Sequence, residues 1–199
     1  MSILVLWAHP RPGSFSHAIA ETAVKTLHAQ GYETIGHDLY AEQFDSRLLA
    51  EELPNNAPLD NTLHHHIAEL TQAEGIIVIH PNWWGMPPAI LTGYIDRVFR
   101  AGAAYRFLEG DSGEGVPVGL LRAQTAIVFT TSNTSDKREQ AVFGDPLETI
   151  WKNCIFGLCG VSNFYRRNYS LIVTSTPEQR QNWLKDVADT VARFFPPIT

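Results

Sequence analysis

Residues 3–8, ILVLWA, are apolar at every position, and GIIVIH at 75–80 is nearly so. A strand with one face in water alternates polar and apolar residues. A run without alternation is buried on both faces, as in a parallel sheet covered on each side by helices. The segments between the runs fit that demand. Residues 16–30 place Ile19, Ala23 and Leu27 at helical spacing, and Gly31 stops the helix. Residues 33–39 (ETIGHDL) form a weaker strand suited to an edge. Residues 40–60, with Pro54, Asn55, Asn56 and Pro58, read as a polar connection. A helix follows over 61–73, then the strand at 75–80, closed by Pro81. The next helix spans 88–101, with Pro88 suited to its first turn. Residues 108–119 (LEGDSGEGVPVG) read as a mobile loop, 124–130 as a strand, and 145–158 as a helix opened by Asp145-Pro146. A last strand is expected over 163–174, and a helix over 177–195 before Pro196-Pro197.

Strand and helix thus alternate about five times, the pattern of a parallel sheet with helices on both faces. The expected architecture is a three-layer α/β sandwich around a five-stranded parallel sheet of order 2-1-3-4-5. A chain of 199 residues suits a single domain over 1–199 and needs no disulfide or metal staple. In such sheets ligands sit outside the carboxyl ends of the strands, where the strand order reverses. That rule selects the loops after residues 8, 80 and 130.

Composition narrows the function. Charged residues are 18% of the chain and aromatics 11%, with five Trp, so uncharged surface needs cover in a core, an interface or under a ligand. The net charge of −6 argues against a nucleic-acid partner. Cys154 and Cys159, five apart, do not form a CxxC pair and read as small buried hydrophobes, which allows a reducing compartment. The amino-terminal run reads as a strand and not a signal peptide, and no stretch approaches the ~20 apolar residues of a membrane span, so a cytoplasmic protein is expected. His64-His65-His66 lies within a predicted helix. Adjacent residues there point about 100° apart and cannot all ligate one ion, so the triplet reads as solvated and no metal is expected.

The first selected loop runs from His9 to His17. Gly13, Ser14 and Ser16 lie where unpaired N–H groups and the helix dipole favour an anion, with His9 and Arg11 nearby. Ser14 or Ser16 could equally be a plain N-cap. Neither GxxxxGK[ST] nor GxGxxG follows the strand, which disfavours those two nucleotide sites. The second loop carries Pro81, Asn82, Trp83, Trp84 and Gly85. Two adjacent indoles there need a flat aromatic ligand, a subunit interface or the protein's own core to cover them. The third offers Thr130, Thr131, Ser132 and Asn133, either polar donors or an ordinary turn. Together a phosphate end, an aromatic wall and a polar edge describe flavin mononucleotide.

The segments AHPRPGSFSHA (8–18) and HPNWWGMPPAILTGYIDRVFRAGAAYRF (80–107) closely resemble the NAD(P)H:quinone reductase family of flavodoxin-like fold. This group includes DT-diaphorase, the modulator-of-drug-activity reductases and the ancillary flavoproteins of potassium efflux systems. The resemblance runs over roughly residues 3–185 and is looser in the carboxyl-terminal third. It implies a non-covalent flavin, FMN or alternatively FAD. It also implies a homodimer with active sites at its interface, NAD(P)H as donor, and a quinone-like flat acceptor. By position, His9, Ser14, Phe15, Ser16 and Ala18 match the phosphate and ribityl loop. Pro81, Asn82, Trp83, Trp84 and Gly85 match the segment along the ring. Thr130, Thr131, Ser132 and Asn133 match the loop at its pyrimidine edge. Tyr105 and Phe107 fall where aromatic residues line the nicotinamide and quinone pocket, with Trp84 completing an apolar slot. Arg100 and Arg106 could meet an NADPH phosphate or form surface ion pairs. Arg180 is either an adenosine contact or a solvated first-turn residue. The family's glycine pair is Ser132-Asn133 here, and Lys137 and Phe143 stand about where some members carry Tyr and His. The implied activity is two-electron hydride transfer. The other reading is a regulatory flavoprotein docked on a membrane transporter.

Overall fold

The computed structural model describes residues 1–108, 110 and 115–198. Five strands form one parallel sheet: β1 (Ser2–Trp7), β2 (Glu33–Asp38), β3 (Gly75–Pro81), β6 (Thr125–Thr131) and β7 (Asn163–Tyr169). Their order is β2-β1-β3-β6-β7, which is 2-1-3-4-5 when these strands alone are counted. The apolar runs at 3–8 and 75–80 lie side by side, with Leu4 against Ile76 and Leu6 against Val78. All seven residues of β3 are buried. Because successive side chains point to opposite faces, the runs feed two cores. On one face Leu4, Leu6, Ile76, Val78 and Val128 pack with Leu63, Leu91, Tyr94 and Trp151. On the other Ile3, Val5, Ile77, Ile79 and Phe129 pack with Ile19, Leu27, Val187 and Val191. Each fully buried Leu, Ile or Phe contributes roughly 1.5–3 kcal/mol, so the cover on both faces is what makes these runs viable.

The second core is closed by α1 (Phe15–Ala29) and α6 (Pro177–Phe194), and the first by helices including α2 (Asn61–Gln72) and α3 (Ala89–Val98). Their starts are capped by side chains. Ser14 accepts from His17 N, Asp60 from Leu63 N at 2.8 Å, and Thr176 forms a reciprocal box with Gln179. The 40–60 connection contains one 3₁₀ turn, Ala50–Glu52, fixed by the buried pair Arg97–Glu52. Arg97 also donates to Asp45 O. At Gly93 any Cβ would meet Ser46 O at 2.0 Å, so only glycine lets this connection lie on α3.

The structure corrects several expectations. The strand expected over 163–174 ends at Tyr169, because Leu171 turns to φ 59 and a 3₁₀ turn, Ile172–Thr174, follows. The helix expected over 145–158 is α-helical only over Pro146–Thr149 (α5) and continues as a π-helix over Ile150–Gly157. Cys159 is buried, which raises its thiol pKa to about 11, but Cys154 is exposed and not the second buried hydrophobe. The histidine triplet is not uniformly solvated. His66 is 4% exposed, and burial, followed by the neighbouring His37, lowers its pKa to about 4. Within the loop expected at 108–119, residues 109 and 111–114 lie outside the described residues. At its edge Tyr105–Arg106 (β4) pairs antiparallel with Val118–Gly119 (β5), a small hairpin the sequence did not announce.

Candidate site at the carboxyl edge of the sheet

The three loops meet where the switch-point rule places them. His9, Ser14, Phe15, Ser16, Pro81, Asn82, Trp83, Thr131, Ser132 and Asn133 all line one cavity of about 530 Å³. Two cations stand in the same wall, Arg11 and Arg180. Arg180 is half-buried and held in place. It donates to Ser175 Oγ (2.8 Å) and Ile172 O (3.0 Å), and its guanidinium lies 6.0 Å from the Phe15 ring. Phe15 in turn packs edge-on to Tyr169, with ring centroids 6.1 Å apart, so the start of α1 is held by the second core.

Here Ser14 proves to be both N-cap and cavity wall. Its Oγ meets His17 Nδ1 at 2.8 Å, and His17 Nε2 meets Asp38 Oδ2 at 2.9 Å. The chain Ser14–His17–Asp38 fixes the hydroxyl at the helix start. Ser16 is buried, with its Oγ 3.4 Å from Thr131 Oγ1, and joins the first loop to the third. His9 Nδ1 accepts from Arg11 N at 3.1 Å, which leaves Nε2 to carry the proton. Its pKa is lowered by burial first and by His17 second, so the ring is a neutral donor. It lies 6.2 Å from the Trp83 ring.

The second loop is a tight hairpin. Trp83 and Met86 exchange backbone hydrogen bonds of 3.1 and 3.0 Å, and the residues between them have φ 59 (Trp84) and 73 (Gly85). Positive φ at both central residues is the type I′ turn. Glycine is needed at the second position for space as well, since a Cβ at Gly85 would meet Pro146 at 2.6 Å. Trp84 has no such freedom. A bulky residue held there costs about 1–3 kcal/mol, and its side chain is 97% exposed. Asn82 sets the turn: Oδ1 accepts from Gly85 N (3.0 Å) and Nδ2 donates to Glu139 (3.1 Å). Under the loop, His80 donates from Nδ1 to Pro81 O (2.9 Å) and accepts from Trp151 Nε1 (2.9 Å). Burial lowers its pKa to about 4.

Not every residue singled out faces the cavity. Thr130 is buried, donates to Asn168 Oδ1 and accepts from Arg166, so it braces β6 against β7. Ala18 sits in the first turn of α1, with its N–H on Ser14 O, and does not line the cavity. Ser132 Oγ is committed to Thr134 O, and Asn133 Oδ1 accepts from Val173 N. Trp84 and Gly85 line an adjoining cavity with Glu139 and Phe143. Tyr105 and Phe107 line another, with Arg100 and Cys154, so one chain does not assemble the slot expected from Trp84, Tyr105 and Phe107. Arg100 is tied to the Glu52 and Pro54 carbonyls, and Arg106 is exposed on β4. Lys137 lies exposed in the short helix Asp136–Arg138 (α4). The reading from sequence missed Glu139 and the His80–Trp151 brace, and it left Arg180 open between a cofactor contact and a solvated residue. Of the missed residues, only His80 carried a signal, as a polar residue ending an apolar run.

Among the described residues no helix is long and apolar enough to cross a membrane. An NAD(P)H oxidoreductase of Haemophilus influenzae, named as uncharacterized, is 33% identical over 82% of this chain and 80% of its own length. NAD(P)H dehydrogenase [quinone] 1 of Rattus norvegicus is 28% identical over 79% of this chain but 64% of its own length. The crystal structure of Smu.1420 from Streptococcus mutans superimposes with a TM-score of 0.83 at 29% identity, covering 97% of this chain and 100% of that one. The family model described as flavodoxin-like fold matches residues 1–191, and the chain belongs to that family.

Proposed function

We propose that this chain is a flavin-dependent NAD(P)H oxidoreductase that passes two electrons by hydride transfer to quinones or similar flat acceptors, with FMN as its flavin. The observation that carries the reading is the cavity at the carboxyl edge. It joins an anion-binding helix start, two arginines, a neutral histidine donor and an indole wall. The names of the relatives from Haemophilus influenzae and Rattus norvegicus support the same activity. The donor set suits a phosphate at one end and a flat ring at the other.

When bound, the flavin supplies the hydride chemistry, and the protein supplies orientation and electrostatics. The amino terminus of α1, Arg11 and Arg180 would hold its phosphate. His9, neutral, offers an Nε2 proton without adding charge. Trp83 would wall the ring, and Glu139 holds Asn82 so that the Trp83–Met86 turn keeps its shape. The reading includes a homodimer in a cytoplasmic setting, in which a second copy would bring its Tyr105 and Phe107 to the site. Two facts support the dimer. Trp84 lies in the open, and those two aromatics lie in a different cavity of the same chain.

The test uses the purified protein. Its visible spectrum should show a flavin, chromatography of the released cofactor should give FMN and not FAD, and NADPH or NADH should bleach the absorbance within seconds in stopped flow. A protein reconstituted with FMN that neither nucleotide reduces would sink the enzyme reading.

A further inference from the structure

A second cluster lies away from the carboxyl-edge cavity, between β2 and α2. His37 is buried at the end of β2, Glu42 follows it on the connection, and His66 and Glu69 come from α2. His37 Nε2 is 2.8 Å from Glu69 Oε2, and the other Glu69 oxygen is 2.9 Å from His65 Nε2. His37 Nδ1 faces both oxygens of Glu42, at 3.0 and 3.1 Å. The His66 ring lies 4.3 Å from that of His37, and its buried Nδ1 makes no hydrogen bond, with Glu69 Oε2 standing 3.9 Å away.

We propose that His37, Glu42 and His66 bind a divalent transition-metal ion of the zinc type. Their ligand atoms all lie within 4.8 Å of one another. Tetrahedral zinc with bonds of about 2.0–2.1 Å sets its ligands about 3.3 Å apart, so the cluster must contract modestly. Glu42, exposed on a loop, is free to supply that movement. Two imidazoles and a carboxylate suit zinc-like ions and disfavour calcium or magnesium, which take oxygen ligands. Glu69 stands where a supporting carboxylate stands in such sites: by accepting from Nε2 it fixes the tautomer that turns the Nδ1 lone pair of His37 toward Glu42. The orphaned His66 nitrogen, on a ring 4% exposed, is the independent sign of a missing partner. A cavity of about 480 Å³, lined by His37, Glu42, His66, Asp45 and Asp60, gives entry from solvent and room for a water as fourth ligand. Bound there, the ion ties the 40–60 connection to α2.

The experiment is calorimetric titration of chelator-treated full-length protein with zinc chloride, paired with thermal melts and a cobalt(II) absorption spectrum. One ion per chain, a raised Tm and a tetrahedral cobalt spectrum are expected. His66→Ala and Glu42→Gln should each weaken zinc binding at least 10-fold, and Glu69→Gln by ~10–100-fold. His64→Ala, on the exposed face of the same triplet, should leave it unchanged. If His66→Ala fails to fold, Glu42→Gln carries the test. Absence of one-to-one binding, or binding that depends on His64 and survives His66→Ala and Glu42→Gln, overturns the proposal.

Discussion

The two ends of the carboxyl-edge site are built on different terms. The end proposed to take a phosphate is complete within one chain. Its helix start is capped by Ser14, its Arg180 is anchored to two partners, and Phe15 is held against Tyr169. The ring end is open: Trp84 stands in solvent on a strained turn, and Tyr105 and Phe107 line another cavity. One end rests on local backbone geometry, which a short segment can satisfy alone. The other presents apolar area, which is unfavourable in water until something covers it. Under the proposed function, anion binding should survive in an isolated chain, whereas acceptor specificity should need a second one.

The largest effect should come from spoiling the finished end. Ser14→Asp keeps a good N-cap, so helix content by circular dichroism should hold. The added charge beside a phosphate should weaken FMN binding by ~100-fold or more, because like charges about 4 Å apart repel by several kcal/mol near a protein surface. Fluorescence titration with FMN measures this.

Next comes the open end. Tyr105→Ala combined with Phe107→Ala should lower kcat/KM for a quinone about 10-fold or more, with FMN retained, the cost of losing about 1.4 kcal/mol of acceptor binding. Mixing that variant with Ser14→Asp sharpens the comparison. If the aromatics serve the partner's flavin, mixed dimers contain one intact site and activity returns. If they serve their own chain, mixing restores nothing.

The brace beneath the open end should appear in pH dependence. His80 has a folded pKa of about 4 against an ordinary 6.5, so the unfolded chain takes the proton first. The stability it contributes is complete above about pH 6.5 and is lost as pH falls toward 4. At 1.36 kcal/mol per unit the loss is on the order of 3 kcal/mol. Urea unfolding at pH 7 and pH 4.5 should show the decline, and His80→Gln should flatten it. An unchanged slope in that variant would assign the decline elsewhere, His66 being the next group with a lowered pKa. The smallest effect is at the strained turn. Trp84→Asn tolerates positive φ and should stabilise the fold by about 1 kcal/mol while slowing acceptor reduction.

What the sequence disclosed follows the range of the interactions. The buried runs at 3–8 and 75–80 announce the sheet because burial on both faces is written into every position of a short segment. The edge character of β2 was equally legible in its mixed polarity. The cavity's location came from topology, and most loop residues named for it do line it. What stayed hidden depends on contacts between distant segments. Glu139 meets Asn82 across 57 residues of chain, and Trp151 meets His80 across 71. His66 is instructive because a local signal existed. Leu63, His66 and Leu70 share the buried stripe of α2, spaced three and four apart. The helical period, not the adjacency of the three histidines, holds that information. The π-helical stretch at 150–157 and the early end of β7 left no local mark beyond ordinary apolar residues.

The exposed indole at the type I′ turn has a practical consequence. Of the five tryptophans, Trp151 is buried and Trp84 is nearly bare. Its emission should sit at the long-wavelength limit and yield to collisional quenchers such as acrylamide. Arrival of a ring, an acceptor or a second subunit would shift that emission to shorter wavelength and shield it. The molecule therefore carries its own optical gauge of whether the open end has been closed.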